Sequence, residues 1–96
     1  MAACYIVAQI KIEDRAEYAM YEAGFVEIFD AYGGTALSVD EAPTVLEGEW
    51  PWTRTVLLRF ASREQALAWY ESDEYQALAQ HRFAASSANV AVIRGF

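Results

Sequence analysis

Arg82 is the residue that packing alone explains least. On a helix it falls nearly in line with Tyr75, Leu78 and Ala79, which form an apolar face. A guanidinium in that position needs a partner or an anionic ligand, because an unpaired buried charge is costly. Two readings stand. Arg82 binds a carboxylate in a cleft between helix and sheet, or it closes an internal ion pair with Glu47 or Glu22. The ion pair is the ordinary outcome, since buried charges are normally paired.

Two residues could do acid–base work. Glu47 ends an extended segment just before Gly48 and would serve as a general base if desolvation raised its pKa; otherwise it is an arginine partner. His81 is the single histidine of the chain and flanks the apolar helix face without centring it. It could hold a proton or a haem iron, but a lone histidine without a haem-pocket motif reads as a satisfied helix residue. Trp50, Trp52 and Trp69 are candidates for the wall of a ligand pocket, with core or interface packing as the plainer alternative. Tyr18 and Tyr75 could present hydroxyls to the same cleft.

Other chemistries lack their parts. Cys4 and His81 have no companions at ligand spacing, so no metal site is expected. No serine or cysteine has a histidine at a nucleophile's spacing. Gly33-Gly34 closes a helix and does not open one, so it is no phosphate loop. No cofactor is called for.

The elements that must position these residues follow from periodicity. Residues 4–12 alternate, with Cys4, Ile6, Ala8, Ile10 and Ile12 on one face, as in a strand. Asp14-Arg15-Ala16-Glu17 fits a capping box, and Tyr18, Tyr21, Phe25, Ile28, Phe29 and Tyr32 form the stripe of a helix that ends at Gly33-Gly34. Thr35–Val39 reads as a second strand that Asp40–Pro43 interrupts and Thr44–Glu47 continues, on an edge or at a bulge because of the proline. Thr53–Phe60 is the central strand, with Val56, Leu58 and Phe60 on one face and Thr55, Leu57 and Arg59 on the other. A helix starts at Ser62, breaks and recaps at Ser72-Asp73-Glu74, and runs on through Ala84. Asn89–Gly95 is the last strand.

The order β-α-β-β-α-β is the split βαβ signature of an α+β, ferredoxin-like protomer. It predicts a four-stranded antiparallel sheet with strands one and three central and the helices on one face. The chain of 96 residues makes one domain, spanning 1–96. Its other sheet face carries Tyr5, Val7, Leu57, Ala91 and Ile93, and no element is left to cover them. A second copy is the simplest cover, so a homodimer through the open sheet face is expected.

Composition narrows the setting. The chain is 55% hydrophobic and 15% aromatic, and its formal charge is −7. An acidic protein repels phosphate backbones and anionic lipid, which disfavours nucleic acid and membrane partners. A single cysteine suits a reducing compartment, and no apolar run approaches a membrane span, so a cytoplasmic location is expected.

Several stretches carry a resemblance. They are Tyr32-Gly33-Gly34, Leu46-Glu47-Gly48-Glu49-Trp50-Pro51, Phe60 with Ser62-Arg63-Glu64-Gln65-Ala66, Ala68-Trp69-Tyr70-Glu71-Ser72 with Glu74-Tyr75, and Arg82. Together they resemble domain-of-unknown-function family 1330, within the dimeric α/β-barrel superfamily. The resemblance implies a ferredoxin-like protomer that pairs sheet to sheet into a dimeric α/β barrel. It implies no settled reaction, since the wider superfamily spans haem-binding enzymes, cofactor-free monooxygenases, isomerases and stress-responsive proteins.

The expectation is a small homodimer that binds a small, partly apolar molecule, a carboxylate-bearing one among the candidates, in a helix–sheet cleft. The ligand-binding candidates are Arg82, Tyr75, Glu47, Trp50, Trp69 and Tyr18, and any catalysis is cofactor-free. The alternative is a noncatalytic structural or stress-associated protein whose Arg82 closes an internal salt bridge.

Overall fold

Strand β1 (Cys4–Ile12) is the spine of the molecule, hydrogen-bonded on both sides. The structure, a computed structural model, describes residues 2–96. After β1 come α1 (Arg15–Ala31), β2 (Thr35–Asp40), β3 (Arg54–Phe60), α2 (Arg63–Tyr70), α3 (Asp73–Ala85) and β4 (Ser86–Arg94). The four strands form one antiparallel sheet in the order β2-β3-β1-β4. This is the ferredoxin-like arrangement, with β1 and β3 central as the alternation implies.

Period-two patterning sorts the side chains. Ile6, Ile10, Leu58 and Phe60 point to the helix side and are buried. On the same side, α2 contributes Trp69, and the rings of Phe60, Phe29 and Tyr75 lie 5.5, 5.8 and 4.2 Å from it. Tilted and edge-on contacts of this kind add to the area that the rings bury.

The helix starts behave as their sequences require. Asp14 caps α1 by accepting from the Glu17 N–H, Ser62 caps α2 through the Gln65 N–H, and Ser72 caps α3 through the Tyr75 N–H. Glu17 does not complete a capping box, because the Asp14 N–H already donates to the Ala85 carbonyl. The Glu17 carboxylate instead meets His81 on α3. Gly33 takes φ +79° after α1, a left-handed value that glycine adopts without a Cβ clash.

Two strand limits differ from the sequence reading. Thr44–Glu47 does not continue β2: Asp40 pairs with Thr55, close to the first residue of β3, so a longer β2 would find no partner. The chain turns there, with the Asp40 carboxylate accepting from the Ala42 N–H. At the other end, β4 begins at Ser86 and not at Asn89. Ser86, Ser87 and Ala88 are polar or small, which hid their extended character, but they pair with Ile12, Lys11 and Ile10.

Helix α1 packs on α3 and reaches the sheet through Phe29, whose ring lies 5.4 Å from that of Phe60 on β3. Its inward stripe is made of large rings, of which Tyr18, Tyr21 and Phe25 line a space over β1 and β3. That space is the cavity described next.

Candidate functional site

The cavity has a volume of about 250 Å³ and lies between α1 and the helix-facing side of the sheet. Its floor is Ile6, Ala8, Ile10, Val56 and Leu58 from the central strands. From α1 come Tyr18, Tyr21, Glu22 and Phe25, at helical spacings of three and four that place them on one face. Tyr75 and Arg82 of α3, seven residues and two turns apart, share the face turned toward it.

Arg82 is 4% exposed, and among the described residues no carboxylate pairs with it. The internal ion pair to Glu47 or Glu22 is therefore absent. Glu22 is engaged by another arginine, and Glu47 is exposed in the long β2–β3 connection. The Arg82 guanidinium instead lies over the rings of Tyr21 and Phe83, 5.7 and 4.9 Å from their centres. Its side chain lines the cavity, with the Tyr75 hydroxyl beside it. Burial opposes the Arg82 charge, while the neighbouring Tyr75 and Tyr21 oxygens favour it, and the balance raises its pKa above the ordinary value. The group stays a cation at any working pH.

The tyrosine hydroxyls surround this cation. Tyr21 and Tyr75 share a hydrogen bond of 2.8 Å. Burial, with the nearby Tyr75 phenol adding to it, pushes the Tyr21 hydroxyl far above the usual tyrosine range. Tyr18 is also raised, mainly by burial, although Arg54 and Arg82 both pull it down. Its hydroxyl has no hydrogen-bond partner among the described residues, yet it is not enclosed, so it opens onto the cavity.

Arg54 is a second guanidinium in the wall, and it is occupied. It reaches Glu22 at 3.2 Å and Glu41 at 3.1 Å, while Glu41 also holds Arg15 at 2.9 Å. The hydrogen bonds from Arg15 and Arg54 lower the Glu41 pKa. The Arg54 Nε is enclosed without a partner. This ion-pair chain ties the start of α1 and the β2–β3 connection to the rim of the cavity.

The structure brings Arg82, Tyr75, Tyr18 and Trp69 together. Glu47 and Trp50 lie elsewhere. The Trp50 indole donates to the Thr55 hydroxyl, on the strand positions that face away from the helices. His81 also lies outside the cavity, and its Nδ1 sits 2.5 Å from Glu17. Among the described residues no cluster of histidine, cysteine or carboxylate side chains could hold a metal ion. Arg54 and Tyr21 were not singled out from the sequence. For Arg54 the signal was present, since it has the parity of Val56, Leu58 and Phe60 and so points to the helix side.

Fold and site together define a ferredoxin-like α+β domain that holds a partly open, cationic, aromatic-walled cavity beneath its first helix. The chain belongs to the family described as Domain of unknown function (DUF1330), whose pattern matches residues 3–96. No curated protein sequence matches it. Among solved structures it is similar to a protein of unknown function from Rhodopseudomonas palustris, 14% identical with a TM-score of 0.84, over 99% of this chain and 83% of that one. It is also similar to SnoaB, a cofactor-independent oxygenase from Streptomyces nogalater, 10% identical with a TM-score of 0.69, over 97% of this chain and 92% of that one. HapK from Hahella chejuensis is 14% identical with a TM-score of 0.63, over 97% and 92% of the two chains. These likenesses establish the fold.

Proposed function

We propose that the protein is a cytoplasmic homodimer that binds a small, partly apolar, carboxylate-bearing molecule in the cavity beneath α1. The observation that carries this reading is Arg82, a buried cation facing an apolar space with no carboxylate of its own. An isolated charge costs much of its hydration on burial, and a ligand carboxylate restores that loss through charge-assisted hydrogen bonds. The noncatalytic alternative needed Arg82 locked in an internal ion pair, and no such pair supports it.

Chemistry on the bound molecule without a cofactor is a second reading. Its support is the fold shared with SnoaB, described as a cofactor-independent oxygenase, together with a cavity whose polar groups are phenols, two guanidiniums and the Glu22 carboxylate.

A thermal-shift panel of small aromatic and aliphatic acids tests the binding reading. Wild type is expected to gain stability with at least one acid, and Arg82→Ala to lose that gain. Arg82→Lys serves as a second variant that keeps the charge but loses the planar fork. If no acid stabilises wild type more than the variants, the reading is wrong.

A further inference from the structure

We propose that the cavity selects a compact monocarboxylate bearing one apolar ring and rejects dicarboxylates, with Glu22 setting that preference. The inference rests on the ligand reading of Arg82 and narrows it to a chemical class.

Geometry around Arg82 chooses the shape of the anion. The rings of Tyr21 and Phe83 lie against the guanidinium, with its central carbon 5.7 and 4.9 Å from their centres. Neither ring carries a carboxylate, so the planar fork of N–H donors keeps its capacity for an anion. A planar carboxylate meets that fork with two parallel hydrogen bonds.

Charge chooses the number of anionic groups. The charged side chains lining the cavity are Glu22, Arg54 and Arg82, a net of one positive charge. Arg54 offers no second anion site: one terminal nitrogen is on Glu22, the other is on Glu41, and its Nε is enclosed. A second carboxylate on the ligand would have to displace Glu22 or lie unpaired against apolar walls, and either is costly.

Volume and lining choose the remainder. A space of about 250 Å³ equals roughly eight waters at about 30 Å³ each, on the order of ten non-hydrogen atoms of a compact organic molecule. Phe25, Val26, Val39, Val56 and Leu58 offer that body no hydrogen bonds. One ring and a short acid arm fit both limits.

Titration calorimetry with phenylacetate, phenylmalonate and 2-phenylethanol tests this on wild type, Glu22→Gln and Glu22→Ala. Glu22 is a half-exposed side chain of α1, so both variants are expected to fold. Wild type should bind phenylacetate at least tenfold more tightly than either the dianion or the alcohol. Freeing Arg54 in the Glu22 variants should shift the preference toward phenylmalonate by at least tenfold. If phenylacetate binds through Arg82 but phenylmalonate binds wild type equally well, the selectivity claim falls and the binding site stands. An unchanged preference in the Glu22 variants has the same meaning. If neither acid binds wild type at millimolar concentration, both claims fall.

Discussion

Arg82 and Arg54 are both guanidiniums on otherwise apolar faces, and the protein treats them oppositely. Arg54 has two carboxylates, and Arg82 has aromatic rings and a cavity. Beside Arg82, the Tyr21 and Tyr75 hydroxyls satisfy each other inside the core. Tyr75→Phe should therefore cost about 1–3 kcal/mol, because it leaves the Tyr21 hydroxyl buried without that partner. Urea denaturation checks this, and an unchanged midpoint would mean that another group takes the proton. At this scale the sequence was partly legible. The charge at Arg82 stands out against Tyr75, Leu78 and Ala79, and the same reasoning applied to strand parity reaches Arg54 beside Val56 and Leu58. What periodicity does not carry is pairing: Glu22 goes to Arg54 rather than to Arg82, which is a tertiary fact.

Among the elements, signals that are local in sequence were legible and signals that depend on a neighbour were not. Asp14, Ser62 and Ser72 cap their helices because a short acceptor side chain meets backbone N–H groups within the same turn. The limits of β2 and β4 depend on the partner strand. Thr44–Glu47 has extended-type residues and nothing to pair with, whereas Ser86-Ser87-Ala88 has weak strand residues and an available β1 edge. Trp50 was read as a pocket candidate, but its indole is held by Thr55 on the far side of the sheet. The cavity itself is an element-scale consequence. Tyr18, Tyr21 and Phe25 of α1, with Tyr75 and Arg82 of α3, line it above the central strands.

The whole molecule is a slab with Cα extents of 34 × 32 × 16 Å, one layer of helices on one layer of sheet. Its uncovered face carries an apolar cluster, in which Val7 sits between Leu57 and Ala91, and Tyr5 between Arg59 and Ile93. Ile93 is 48% exposed. A stable interface needs roughly 800 Å² per partner, which at about 25 cal/mol per Å² of apolar area exceeds the cost of association. Sedimentation at micromolar concentration should find a dimer for wild type and a folded monomer for Leu57→Glu, which places a charge in that cluster. A folded wild-type monomer would remove the pairing proposal, while the cavity, which lies on the opposite face, would be unaffected. On the proposed function, Arg82 has no carboxylate of its own because a ligand supplies one. A crystal structure of wild type grown with phenylacetate tests it most directly. The carboxylate is expected on the Arg82 guanidinium at hydrogen-bond distance, with the ring beneath α1 and Arg54 still on Glu22. An empty cavity at saturating acid, or Arg82 turned onto a carboxylate of its own chain, would contradict it.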